Sequence, residues 1–162
     1  MSMYIFFGLP GAGKTFSGKI AEKYFGYHLY EGDLDLTSEM RSAIANQTVI
    51  IDTMRDIFFQ NLIESVKKLE KKYNKIVVTQ TFIKEKYREQ FHQAFSQAKF
   101  ILIQADQATR EERILKRKEY ALDIQYARKM TDIFGTPLIA HENISNNTGE
   151  EAIKEQLRRL LI

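Results

Sequence analysis

Strands alternating with helices along one chain predict a three-layer α/β/α fold around a parallel sheet. Two observations carry this expectation. Short apolar runs at Met3–Phe7, Ile76–Val78 and Phe100–Ile103 are separated by longer amphipathic stretches. A glycine-rich turn, Gly8 to Thr15, joins the first run directly to the first helical pattern. No internal repeat, low-complexity tract or linker interrupts the series. A single domain over residues 1–162 is expected, with 44% hydrophobic residues as ample material for one core.

Each element has a local reason. Met3 to Phe7 is fully apolar and reads as a strand buried on both faces. Thr15 to Tyr24 carries Phe16, Ile20 and Tyr24 at helical spacing, and Gly26 reads as its C-cap. Tyr27 to Tyr30 reads as the second strand, ending in Glu31-Gly32-Asp33. Ser38 to Ala45 is a short helix. A longer one runs from Asp52 or Thr53 to Lys72, with Phe58, Leu62, Val66 and Leu69 on one face. Lys75 to Thr79 is a strand. Lys84 to Ala98 stacks Tyr87, Phe91 and Phe95 four residues apart. Another strand, Phe100 to Ile103, precedes a highly charged helix from Ala108 to Lys118. A helix from Asp123 to Phe134 is closed by Gly135 and Pro137. The last strand starts at Leu138-Ile139-Ala140 and extends toward Ile144. Thr148 and Glu151 predict a capping box for a final helix ending near Leu161. The run Val49-Ile50-Ile51-Asp52 has two readings: a strand whose Asp holds magnesium, or the approach to a helix capped at Asp52 or Thr53. Periodicity does not separate them in so short a run, and the helix is preferred.

Composition narrows the chemistry. The net charge of +3 and isoelectric point near 9.0 suit anionic small molecules as well as nucleic acid. There is no cysteine, so disulfides, thiolate catalysis and cysteine-ligated zinc are excluded. No apolar run approaches the roughly 20 residues of a membrane span, and a cytoplasmic location is expected. His28, His92 and His141 lack metal-ligand spacing. The lysines Lys67, Lys68, Lys71 and Lys72 have no interleaved aromatics, which argues for a solvated face over a nucleic-acid surface.

The stretch Gly8-Leu9-Pro10-Gly11-Ala12-Gly13-Lys14-Thr15 fills the pattern Gly, four residues, Gly-Lys-Ser/Thr without a gap. Glycines permit a tight turn that presents bare N–H groups to phosphate oxygens, and the following helix adds its partial positive end. ATP is therefore expected along Gly8, Gly11, Ala12, Gly13, Lys14, Thr15 and Phe16. Lys14 would reach the β- and γ-phosphates, and Thr15 would hold Mg2+. Glu31 and Asp33 lie at a strand's C-terminal edge, where open α/β sheets bind ligands. If the second strand neighbours the first, one of them orients magnesium-bound water and the other takes a proton from an attacking hydroxyl. Lys84 and Arg88 share a helix face that could hold an anionic acceptor, although a solvated face fits them equally. Arg113 and Arg117 share another face, beside a polar lid at about residues 116–125, and their planar forks suit phosphoryl oxygens.

These features together resemble the shikimate kinase and gluconate kinase group of phosphate-loop small-molecule kinases, closest to gluconate kinase. Tyr30-Glu31-Gly32-Asp33 is similar to a strand ending Asp-Gly-Asp in that group. Asp52-x-x-Arg55-x-x-Phe58 is similar to its Asp-x-Asp-Arg-x-Pro-Trp stretch. Thr81-Phe82-Ile83-Lys84-x-x-Tyr87-Arg88 is similar to its Ser-Ala-Leu-Lys-x-x-Tyr-Arg. Phe100–Ile103, Asp106, Arg113, Arg117, Gln125 and Pro137 follow in step. The resemblance implies transfer of the ATP γ-phosphate to a hydroxyl of a small anionic metabolite. It implies Lys14 and Thr15 on nucleotide and magnesium and Asp33 on the acceptor hydroxyl; with the reading of the residues above, Lys14, Asp33 and Arg117 are expected in catalysis and Thr15 and Glu31 at magnesium. Asp33, Arg55, Lys84 and Arg88 would lie on the acceptor, and Arg113 and Arg117 on the nucleotide. The departures fall on the acceptor side: Asp35 or Leu36 replaces a histidine, Ile57-Phe58 replaces Pro-Trp, and Ala43-Ile44 and Gln47 replace a Lys-Met pair and a glycine. A monomer or homodimer is expected. Alternative readings are a polynucleotide-kinase-like or zeta-toxin-like phosphotransferase, and a nucleotide-binding ATPase that is not a kinase.

Overall fold

The computed structural model describes residues 1–117 and 123–161. The chain runs β1 (Ser2–Phe7), α1 (Lys14–Phe25), β2 (His28–Glu31), a 3-10 turn (Gly32–Asp35), α2 (Ser38–Ala45), α3 (Asp52–Glu70), β3 (Lys75–Gln80), α4 (Glu85–Ala94), β4 (Lys99–Gln104), α5 (Gln107–Lys116), α6 (Ile124–Ile133), β5 (His141–Ser145) and α7 (Glu150–Leu160). The sheet order is β2-β3-β1-β4-β5, and each adjacent pair is parallel.

β1 lies at the centre, which is why it reads as an unbroken apolar run. Its alternate residues serve two layers. Met3, Ile5 and Phe7 join the core built with α2, α3 and α4, while Tyr4 and Phe6 join the one built with α1 and α7. The helix after β1 and the helix after β3 therefore lie on opposite faces. The strand order thus reverses between β1 and β3, the switch point at whose C-terminal edge open α/β sheets bind ligands.

Several expectations change in detail. β5 begins at His141, where pairing with Phe100 starts, and Leu138 is 82% exposed outside it. Of β5 only Ile144 is buried, as suits an edge strand. The Thr148–Glu151 capping box does not form: Gly149, at φ 100°, takes the cap position with no side-chain bond. α4 stops at Ala94, yet Phe95 stays buried, so the four-residue spacing outlasts the helix. Residues 48–51 join no strand, and Asp52 opens α3 with Ile51 as its N-cap. That outcome removes the magnesium-strand reading of Val49–Asp52. Among the described residues, no helix is long and apolar enough to cross a membrane.

Candidate nucleotide and acceptor site

The glycine loop is built as the motif requires. Gly13 has φ 92°, and a Cβ there would fall 2.0 Å from Asn146 Nδ2, so only glycine fits. Lys14 folds back over the loop, its Nζ donating to the carbonyls of Gly8 (2.9 Å) and Leu9 (3.0 Å). Burial lowers the Lys14 ammonium to about 8; Asp33 opposes this shift and Arg117 adds to it. Asp33 and Arg117, expected to act with Lys14, are thus each within its electrostatic reach.

Glu31 reaches the loop by an unexpected route. β3 separates β2 from β1, so the adjacency on which the expectation depended is absent. Yet Thr15 Oγ1 donates to Glu31 Oε1 at 2.8 Å. Gly18 supplies the reason: a Cβ there would lie 2.6 Å from Leu29 Cδ1 and 3.3 Å from Thr79 Cγ2. Without one, the first turns of α1 settle directly onto β2 and β3 and bring Thr15 to Glu31. A hydroxyl and a carboxylate in contact are hard oxygen donors, and they fit Mg2+ completed by phosphate oxygens and water.

Asp33, exposed in the 3-10 turn after β2, is steadied from the neighbouring strand. Gln80 Nε2 donates to its Oδ1 at 3.1 Å, while Gln80 Oε1 accepts from the Thr81 N–H at 2.7 Å. Gln80 ends β3 on the ligand edge, and that position is the signal through which sequence reasoning could have found it. Asn146 was also missed. It is 2% exposed just beyond β5, and its Nδ2 donates to the Ala12 carbonyl at 2.9 Å, bracing the loop from behind.

Two arginines take other places than expected. Arg113 points at backbone and not outward. It donates to the carbonyls of Gly11 (3.1 Å), Ala12 (3.3 Å) and Asn146 (2.7 Å), tying α5 and the end of β5 to the glycine loop. Arg117, exposed at the C-terminal end of α5, remains the arginine presented beside Lys14. Arg88, expected on the acceptor, is fully buried. It donates to the Phe82 carbonyl (2.8 Å) and pairs with Glu85 (3.0 Å), and its guanidinium lies 4.7 Å from the Phe134 ring centre. Phe82, at φ 48°, holds a left-handed turn that aims its carbonyl at Arg88. Arg88 therefore shapes the loop after β3 from inside. Residues 118–122, the middle of the expected lid, lie outside the described residues.

The other two acceptor residues meet at one carboxylate. Asp52 accepts from Lys84 (2.7 Å), Lys86 (2.9 Å) and Arg55 (3.3 Å). Lys84 and Lys86 hold its carboxyl well below the usual range. Arg55 also lines a cleft of about 290 Å3 between residues 47–50 and α6. Tyr126 of α6 stands in this cleft; burial raises its phenol, and Arg55 and Asp33 are both near enough to act on it. Through Tyr126 the cleft lies within electrostatic reach of Asp33, which does not itself line it.

A glycine cradle at the end of the central strand, with a lysine, a threonine and a carboxylate converging on it, defines a phosphate-loop protein of the small-kinase fold. Residues 3–134 match the family model described as AAA domain (AAA_33), and the chain belongs to that family. Among solved structures it is similar to a sugar kinase from Janibacter sp. HTCC2649, with a TM-score of 0.85 and 16% identity over 99% of this chain and 94% of that one. It is similar to a gluconokinase from Sinorhizobium meliloti 1021, at 0.80 and 16% over 98% and 93%. It is also similar to a shikimate kinase from Acinetobacter baumannii in complex with shikimate, at 0.65 and 15% over 99% and 91%. At these identities the likeness establishes the fold. No curated protein sequence matches this one.

Proposed function

We propose that the protein is an ATP-dependent kinase that transfers the γ-phosphate to a hydroxyl of a small anionic metabolite. The observation that carries this reading is a pair of carboxylates: Glu31, bonded to Thr15 of the glycine loop at 2.8 Å, and Asp33, braced by Gln80 at 3.1 Å and within electrostatic reach of Lys14. A site that only bound nucleotide would need no braced, exposed carboxylate beside the cradle.

In this mechanism Lys14 leaves the Gly8 and Leu9 carbonyls and pairs with the β- and γ-phosphates. Bound Mg2+ would neutralise phosphate charge, held by Thr15 with Glu31 beside it. Arg117 adds a bidentate donor for the charge that builds on the transferring group. Asp33 accepts the proton of the attacking hydroxyl. Arg55 pairs with the acceptor's anionic group, and Lys84, which shares Asp52 with it, lies on the acceptor side. The resemblance to sugar, gluconate and shikimate kinases supports the same chemistry. The acceptor is identified by thermal shift with sugar acids, polyols and nucleosides in the presence of magnesium and a non-hydrolysable ATP analogue, followed by transfer assays on the hits. A kinase predicts at least one small hydroxyl compound that is phosphorylated. Turnover of ATP to ADP that no acceptor alters would contradict it.

A further inference from the structure

The cleft between residues 47–50 and α6, which Arg55 lines, has walls that suit a particular kind of acceptor. Its walls include Val49, Ile50, Met130 and Ile133, and two of these stand open to water, Val49 at 81% and Ile133 at 47% exposure. The same cleft holds Arg55 and Lys129. Lys129 forms no ion pair among the described residues, and Arg55 shares its one carboxylate, Asp52, with Lys84 and Lys86. Positive charge is thus in excess, offset among the described lining residues by Asp132 alone.

Resting on the kinase reading, we infer that the acceptor is an amphipathic anion. It is a hydroxyl compound whose acidic group pairs with Arg55 and Lys129 and whose apolar body covers Val49, Ile50, Met130 and Ile133. Charge complementarity selects the acid. The apolar walls select against a compound with a hydroxyl on every carbon. Several of those hydroxyls would be stripped of water against Ile50, Met130 and Ile133 and find no partner there. Transfer is the ordinary one: the acceptor oxygen bonds to the γ-phosphorus, the bond to the β-phosphate oxygen breaks and ADP leaves. The hydroxyl proton goes to Asp33.

Three probes test this with MgATP: 4-(hydroxymethyl)benzoate as the amphipathic acid, D-gluconate as the polyhydroxylated acid and benzyl alcohol as the neutral apolar compound. The expected order of kcat/KM puts the aromatic acid at least tenfold above both others. Ile133→Gln, at an exposed position that tolerates the change, is expected to narrow the gap between the two acids severalfold. Arg55→Gln is expected to narrow the gap between the aromatic acid and the alcohol. Gluconate used as well as or better than the aromatic acid, or no transfer to the aromatic acid at all, overturns the inference. Failure of the kinase reading itself is a separate result, namely no MgATP-dependent transfer to any compound of the wider acceptor screen.

Discussion

Nucleotide binding is predicted to take up a proton at alkaline pH, because the free protein holds Lys14 in a poor place for a charge. Burial lowers its ammonium to about 8 from 10.5, despite the two loop carbonyls that accept from it. A triphosphate in the cradle supplies the missing counter-charge and returns the group toward its ordinary value. At pH 9 a group of pKa about 8 is roughly 10% charged, so binding takes up about 0.9 proton. Affinity for a magnesium–ATP analogue then falls about tenfold between pH 7 and pH 9. Tyr126, whose phenol is raised, does not interfere there. The sign for stability follows from the same shift. Unfolded Lys14 binds more protons than folded between about 8 and 10.5, so its contribution to stability is complete above that window and is lost as pH falls through it. Isothermal titration at pH 9 in buffers of differing ionisation enthalpy measures the proton uptake directly. Wild type should take up close to one proton and Lys14→Ala none. Uptake near zero in wild type, or unchanged in the variant, would refute the placement of Lys14.

Two further outcomes follow from the arginines. Arg113→Ala removes three hydrogen bonds to loop carbonyls and should cost the nucleotide-free protein roughly 1.5–3 kcal/mol, read as a drop in Tm; an unchanged Tm with weaker nucleotide binding would make Arg113 a phosphate ligand instead. Arg88→Met leaves the Phe82 carbonyl and Glu85 without their partner and should destabilise by about 3–5 kcal/mol in denaturant titration. A stable variant that lost only acceptor binding would return Arg88 to the acceptor site. Lys14→Ala should lower transfer by at least about 10²–10³-fold, and near wild-type turnover would remove Lys14 from catalysis.

The glycine loop was legible in sequence because its chemistry is local: turn, cradle and helix start are adjacent residues. The α/β class followed from periodicity for the same reason. What was not legible depended on tertiary placement. Glu31 was found from its strand end, but the sheet order that puts β3 between β2 and β1 has no local signal, nor does the packing of Gly18 on Leu29 that compensates for it. Arg88 and Arg113 carry the same side chain as Arg117, and composition cannot say which guanidinium will face carbonyls and which will face solvent. Gln80 and Asn146 each reach the site through a hydrogen bond to a residue far along the chain. Leu138 to Ala140 is as apolar as a strand, but pairing with β4 begins only at His141.

The central claim is that Asp33 serves transfer to an acceptor and not the binding of nucleotide. The direct measurement compares wild type with Asp33→Asn in two assays: affinity for a magnesium–ATP analogue by calorimetry, and transfer of labelled γ-phosphate to the acceptor found by screening. Asparagine keeps the shape that Gln80 braces and loses the proton acceptor. Analogue affinity should stay within about twofold while transfer falls roughly 10²–10⁴-fold. Equal transfer by variant and wild type would contradict the account and leave Asp33 as no more than the cap of a strand.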